Sequence, residues 1–305
     1  MQDGNTMELV KADTSKAKTL RALIAQKEPI VTPSAYDVLS ARIIGMLGFK
    51  SISLGGSTML AARYGLPDLG LAGFSEMLEA TRDIVSAVDV PCIADADDGY
   101  GDLKSVVRTI RAYEDIGVAA LVLEDQERVN KRPGDSAAQR VSDVPAMVSK
   151  LRTAIAYRQN RNTLVVARSD CYALEGLDGA LRRCEAYLGA GADGIFVSGV
   201  SKHEHLRAIG GAFPGVYKVI VQVEGSNTPM LSAKELFNMG FTQIAYPTYI
   251  LNRVLLAMES ACLDLNRATA AAEAPRILPE LEQVRGRFNA AIQMAAWRKI
   301  EEGAA

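Results

Sequence analysis

Residues 94–102 read ADADDGYGD, so Asp95, Asp97, Asp98 and Asp102 fall within eight residues, directly behind the apolar run Val90-Pro91-Cys92-Ile93-Ala94. Negative charge at the end of a buried strand is either solvated in a turn or set against something positive. Asp98 and Asp102 suit the first case, because an aspartate ahead of a helix caps its free N–H groups. Asp95 and Asp97 suit the second, as ligands of a cation. Further acids follow neighbouring apolar runs, Asp68 in GLPD and Glu124 in LEDQ, and an arginine follows another, Arg168 in VVARSD. Carboxylates held together repel and raise one another's pKa, and a hard divalent cation removes that conflict. Oxygen-only ligands favour Mg²⁺, with Mn²⁺ as the alternative, over zinc, and some of these acids would reach Mg²⁺ through water. Arg168 suits a substrate carboxylate, because its planar fork pairs two oxygens. Gly55-Gly56 lets backbone N–H groups approach a substrate oxygen closely.

Positioning such groups is the task of a repeating scaffold. Short apolar runs at 29–33, 51–54, 91–94, 119–123, 164–167, 194–197, 219–223 and 243–246 read as strands, and amphipathic helices fill the spaces. GFKSISL, GVAALVL, GADGIFV and GFTQIAY each set a glycine at a helix end before a strand, where a left-handed cap costs glycine little. Strands apolar on both faces belong to a parallel sheet covered by helices. Eight such units in about 250 residues match a (β/α)8 barrel, with a doubly wound sheet as the alternative. In a barrel the residues behind the strand C-termini converge on one site. Residues 1–270 would form this α/β catalytic domain. Residues 271–305 would add a linker and one C-terminal helix over 280–302, whose apolar stripe (Leu281, Val284, Phe288, Ile292, Trp297) calls for a surface on its own barrel or on a neighbouring subunit.

The bulk properties exclude several classes. The chain has 305 residues, 49% hydrophobic and 23% charged, with net charge −2, which speaks against a nucleic-acid partner. No apolar run reaches the roughly 18 residues of a membrane span. Cys92, Cys171, Cys184 and Cys262 lack metal-ligand spacing and read as reduced thiols in a cytoplasmic protein. His203 and His205 read as surface residues of an exposed helix. No strand ends in a lysine of the kind an imine-forming aldolase needs, since Lys218 falls before the seventh strand, at the wrong end.

PSAYDVLSA, LGGSTMLAARYGLPDLG, ADADDGYGD, LEDQ, KRPGD, VVARSD and EGSNTPM, in this order and spacing, resemble the isocitrate lyase/phosphoenolpyruvate mutase superfamily over about residues 33 to 265. The resemblance implies a Mg²⁺-dependent barrel, a homotetramer with a swapped C-terminal helix, small 2-oxo or 2-hydroxy acid substrates and an enolate intermediate. It would make Asp68, Asp95, Asp97 and Glu124 the metal cluster. Leu54, Gly55, Gly56 and Arg168 would bind the substrate. Tyr36, Ser198 and Glu224 are further candidates for the pocket, and Arg168, Asp68, Lys131 and Asp135 for catalytic roles.

The departures narrow the chemistry. Lyases of this superfamily carry a cysteine in a KKCGH or KRCGH loop after strand 4, whereas here the loop reads Lys131-Arg132-Pro133-Gly134-Asp135. Pro133 transfers no proton, and Asp135 stands where the family has His. Ser198 replaces a glutamate of the methylisocitrate-type lyases, so a methylisocitrate substrate is not expected. Decarboxylation of an oxaloacetate-like acid, which needs no base to start, is the preferred expectation. Cleavage of a substituted malate with Asp135 as acid/base comes second, and carbon–phosphorus chemistry on a phosphonopyruvate third. The non-enzyme alternative is a silent barrel that binds a metabolite. Residues 130–136 are the expected lid.

Overall fold

The computed structural model describes residues 15–131 and 140–303. Eight parallel strands form one sheet: β1 (Ile30–Pro33), β2 (Ile52–Leu54), β3 (Cys92–Asp95), β4 (Ala120–Glu124), β5 (Leu164–Ser169), β6 (Gly194–Val197), β7 (Tyr217–Val221) and β8 (Gln243–Tyr246). Their order is β1-β8-β7-β6-β5-β4-β3-β2. The seam between β1 and β2 is closed by a single parallel bridge, Ser34 to Ser53. Ala35 N–H donates to the Ser53 carbonyl at 3.1 Å, and the Thr32 and Ser51 hydroxyls meet at 2.8 Å. The result is a nearly closed (β/α)8 barrel, with the doubly wound sheet excluded.

Period-2 alternation sorts the side chains. Cys92, Ala94, Leu121, Leu123, Val165 and Ala167 point outward into the core shared with the helices. Ile93, Ala120, Val122, Leu164, Val166, Phe196 and Val219 point into the barrel. One step further along that inner face come Asp95 after Ile93, Glu124 after Val122 and Arg168 after Val166. Strand parity alone therefore carries these three charged groups into the barrel mouth.

The opposite end is sealed by helix Ser15–Ala25. Its Ala17, Leu20 and Leu23 join the inner apolar cluster. Full burial of Leu20 contributes roughly 1.5–3 kcal/mol. Lys16, on the same helix, donates to the Val85 carbonyl at 2.6 Å.

Some elements differ from the sequence expectation. Strand β7 begins at Tyr217, so Lys218 lies within it rather than before it; its buried Nζ donates to the Phe213 carbonyl at 3.1 Å, away from the strand C-termini. The C-terminal tail is two helices, Leu281–Ala291 and Met294–Gly303, rather than one, because Gln293 takes φ +56° between them. Arg42 holds the first tail helix to its own chain by donating to the Ala291 carbonyl at 3.1 Å. Helix Tyr249–Ala270 buries none of its side chains. Phe288 (49% exposed) and Trp297 (65%) leave the tail's apolar stripe open, and Leu256 (65%) is as exposed on the preceding helix.

Candidate active site

The four aspartates of ADADDGYGD divide as their positions suggest. Asp102 caps helix Leu103–Asp115 by accepting from the Lys104 and Ser105 N–H groups at 3.0 and 3.1 Å. Asp98 accepts from Tyr100 N–H and pairs with Lys150 at 3.1 Å. Asp95 and Asp97 turn inward. Asp97 sits at φ +44°, in the left-handed region that aspartate tolerates better than most residues. Its carbonyl accepts from Glu124 N–H at 2.8 Å, which ties the turn to the end of β4. Gly99, at φ +84°, is required in the same turn, since a Cβ there would stand 2.6 Å from Val106 Cγ2.

Lys131 fills the space between the acids. Its Nζ lies 2.8 Å from Asp97, 3.0 Å from Asp68 and 3.5 Å from Glu124. Burial disfavours its charge, but Glu124, Asp97, Asp95 and Asp68 outweigh that and hold it protonated above its ordinary range. Burial, followed by the Asp97 charge, pushes the Asp95 carboxyl up. Burial pushes Glu124 up further, against the opposing pull of Arg168.

Arg168 is held from two sides. Its Nε and Nη2 donate to the two oxygens of Asp170 at 2.9 Å each, and its Nη1 lies 3.0 Å from Glu124 Oε2. The guanidinium stands over the Phe196 ring at 5.4 Å. The Nε–Nη2 side of the fork is therefore committed to Asp170. What Arg168 retains toward its Nη1–Nη2 end is the second N–H of Nη2 and Nη1 itself, which lies beside Glu124 without an aligned hydrogen bond. The signal for Asp170 was present, since residues i and i+2 of a strand share a face. Arg128 was not anticipated. It donates to the Gly70 and Ala72 carbonyls, covers the Tyr100 ring at 5.0 Å and approaches Asp97 at 3.9 Å. It thereby ties the Asp68 loop to the cluster.

Asp68, Asp95 and Arg168 of this cluster border a cavity of about 210 Å³ in the barrel mouth. Leu54, Gly55, Gly56, Asp68, Asp95, Arg168 and Ser198 line it, facing an apolar wall of Phe196, Val219, Val221 and Ala245. Gly55 is the N-cap of helix Gly56–Tyr64, which has no side-chain cap, so its first N–H groups are available to a ligand. Other candidates stand apart. Tyr36 lines a different cavity, beside Arg63 and Asp83. Glu224 is on the exposed rim, bound through both oxygens by Arg253 at 2.7 and 2.8 Å, and does not line the barrel-mouth cavity. The reason is that β7 ends at Val221, which leaves Glu224 beyond the strand. Asp135 and most of the expected lid lie outside the described residues. His203 is exposed, and His205 Nδ1 meets the Tyr172 hydroxyl at 2.7 Å.

The donor set can be tested against a divalent cation. Among the described residues no three acids already stand as a ready set of direct ligands. Yet five carboxylates (Asp68, Asp95, Asp97, Glu124, Asp170) face three cations (Arg128, Lys131, Arg168), an excess of two negative charges. Glu124 Oε2, fully buried, has an ion-pair neighbour but no aligned hydrogen-bond donor. All the donors are oxygens. The residues fit a hard divalent cation that keeps part of its water shell.

A parallel barrel with its ionisable groups gathered at the strand C-termini falls in the class of (β/α)8 barrels built for chemistry at that face. More narrowly, the chain belongs to the phosphoenolpyruvate phosphomutase family, whose profile matches residues 20–265. It is 37% identical to the 2,3-dimethylmalate lyase of Eubacterium barkeri over 248 residues, covering 80% of this chain and 85% of that one. A structure of oxaloacetate acetylhydrolase with the product oxalate superposes with TM-score 0.86 at 27% identity, over 97% of this chain and 99% of the other. A phosphonopyruvate hydrolase complex with oxalate and Mg²⁺ superposes with TM-score 0.77 at 26% identity, over 92% and 97%. These matches support a carbon–carbon lyase of the isocitrate lyase/phosphoenolpyruvate mutase superfamily.

Proposed function

We propose that the protein is a Mg²⁺-dependent carbon–carbon lyase acting on a small 2-oxo or 2-hydroxy dicarboxylate, in the first instance by oxaloacetate-type decarboxylation. The observation that carries this reading is the juxtaposition of the Nη1–Nη2 end of Arg168 with a cavity beside a cluster whose acids formally exceed its cations by two charges. Arg168 binds the carboxylate next to the oxo group. The N–H groups at Gly55 and Gly56 face the carboxylate and oxo oxygens. Asp95, with Asp68, Asp97 and Glu124 directly or through water, would hold Mg²⁺, which when bound would supply charge stabilisation for a developing enolate. The bond between C3 and the distal carboxylate breaks, CO2 leaves, the electron pair stays behind as the enolate, and a proton taken up by C3 from solvent gives pyruvate. No base is needed to begin.

A second reading is cleavage of a substituted malate. The apolar wall of Phe196, Val219, Val221 and Ala245 would take an alkyl substituent, and the likeness to a 2,3-dimethylmalate lyase favours it. Carbon–phosphorus chemistry and a silent metabolite-binding barrel rank below both. Free cysteines at 92, 171, 184 and 262 suit a reducing, cytoplasmic setting, and no helix among the described residues is long and apolar enough to cross a membrane. The open apolar stripe of the tail supports a homotetramer with exchanged C-terminal helices, measurable by light scattering.

The test is pyruvate release from oxaloacetate and, separately, from 2,3-dimethylmalate, each with Mg²⁺, with EDTA and with Arg168→Ala. Release from oxaloacetate above the metal-only background, lost in both controls, is expected. Release from dimethylmalate alone would select the second reading. Release from neither would reject the lyase assignment.

A further inference from the structure

Behind the site lies a second buried charge cluster that touches no cavity residue except through the backbone. Asp125 is 1% exposed and follows Glu124 with its side chain pointing the other way, between β5 and the helix Tyr172–Gly189. Its Oδ2 accepts from Ser169 Oγ and from Tyr187 Oη, at 2.7 Å each, and lies 3.3 Å from Arg183 Nη1. Its Oδ1 accepts from Asp170 N–H at 2.9 Å. Its own N–H donates to the Arg168 carbonyl at 3.1 Å. Arg183 in turn donates to Glu175 through Nε and Nη2 (3.0 and 2.6 Å), and to the Ser142 carbonyl through Nη1 (2.8 Å).

Every oxygen of Asp125 is thus used, and all three residues behind Arg168's guanidinium are affected. The hydroxyl of Ser169 and the amide of Asp170 are pinned to one carboxylate, and the Arg168 carbonyl accepts from the backbone N–H of the same aspartate. Asp170 is the group that clamps the Nε side of Arg168. Fixing its amide fixes where its two oxygens stand, and hence where the remaining Nη1–Nη2 end points. Ser142, the other residue that Arg183 holds, also donates its N–H to the Asp125 carbonyl at 2.8 Å, and its neighbour Val141 bridges to Gln126. The same residues therefore also hold Val141 and Ser142 against the end of β4.

We infer that Asp125 is a positioning residue, supported by Tyr187 and Arg183, which sets the orientation of Arg168 through Asp170. The inference rests on the reading of Arg168 as the carboxylate-binding group. Its role is separable from general stability by a coupling measurement, because an effect transmitted through Asp170 disappears when Asp170 no longer clamps Arg168.

The experiment is calorimetric titration of oxalate in the presence of Mg²⁺ into the full chain, for wild type, Asp125→Asn, Tyr187→Phe, Asp170→Asn and the two double variants with Asp170→Asn, with circular dichroism verifying the fold. Tyr187→Phe keeps the result decisive where Asp125→Asn does not fold. Oxalate presents the planar dicarboxylate that the cavity is read to accept. Wild type is expected to bind, Asp125→Asn to lose about tenfold in affinity and Tyr187→Phe about threefold. In the Asp170→Asn background both substitutions are expected to have no further effect. Equal losses in both backgrounds, or wild-type affinity in the single variants, would overturn the inference while leaving the carboxylate site intact. Absence of oxalate binding in the wild type would overturn the site reading and the inference with it.

Discussion

Removing the Lys131 ammonium tests the charge balance of the site directly. In Lys131→Met the stem volume is kept and the charge is lost. The ammonium is 4% exposed and lies 2.8, 3.0 and 3.5 Å from three carboxylates. At an effective dielectric of about 20, a unit pair at 3 Å interacts by roughly 5 kcal/mol. Desolvation of the lysine and repulsion among the acids consume most of the combined attraction. The net loss when one partner of a buried ion pair is removed is about 3–5 kcal/mol. For a chain of this size that corresponds to roughly 5–10 °C in melting temperature. The cost is specific to the metal-free protein. With Mg²⁺ at a hundred times its dissociation constant, binding returns about 2.7 kcal/mol, and the variant binds more tightly because the competing cation is gone. Thermal melts of wild type and Lys131→Met, in EDTA and across a Mg²⁺ series, measure both quantities. The expected pattern is a large gap in EDTA that narrows with Mg²⁺. A variant that melts with the wild type in EDTA, or gains no more from Mg²⁺, would refute the excess of negative charge on which the metal assignment stands.

Three further outcomes follow from particular contacts. Gly179→Ala is expected to destabilise by about 1–3 kcal/mol despite the better helix propensity of alanine, because the new Cβ would stand 2.2 Å from Glu175 Cβ; a raised melting temperature would contradict the packing. Glu175 is held below its ordinary value of 4.5, first by the hydrogen bond from Arg183. Its contribution to stability is therefore complete above pH 4.5 and fades as the pH falls through the lowered value, so the stability gap between wild type and Glu175→Gln is expected to close in acid, as pH-dependent melts would show. Arg253→Ala, which frees Glu224 on the exposed rim, is expected to change oxalate affinity by less than about twofold, since exposed pairs contribute little; a tenfold loss would return Glu224 to the binding site.

Much of the fold was legible because barrel units announce themselves locally. Glycine at a helix end followed by a short apolar run locates four of the eight strands, the apolar runs alone locate the rest, and strand parity sends Asp95, Glu124 and Arg168 inward. What was lost depended on register. The expected seventh strand began two residues late, at Val219 rather than Tyr217, and Glu224 was drawn toward a mouth that it does not reach. The break at Gln293 left no mark in the apolar stripe of the tail, because a left-handed residue interrupts a helix without altering its composition. Arg128 was silent for a different reason. Its partners are the carbonyls of Gly70 and Ala72, and backbone acceptors have no signature in sequence.

The distribution of charge along the barrel axis has its own logic. At the N-terminal end, Ala17, Leu20 and Leu23 close the interior with apolar surface, and Arg21 of the same helix pairs with Asp193 ahead of β6. At the other end a chain of opposite charges runs from Glu175 through Arg183 to Asp125 and, across the backbone of residues 168–170, from Asp170 through Arg168 and Glu124 to Lys131. Buried ion pairs of this kind rarely stabilise a fold better than well-packed apolar residues of the same volume. Stability therefore does not account for their placement. What they provide is fixed position for groups that a low-dielectric mouth would otherwise neutralise, and fixed position is what carboxylate binding and cation retention require. The largely apolar end holds the barrel together and the ionic end gives it a site, so substitutions at the two ends should differ in their effects: those at Leu20 in melting temperature alone, those at Asp125 in ligand affinity as well.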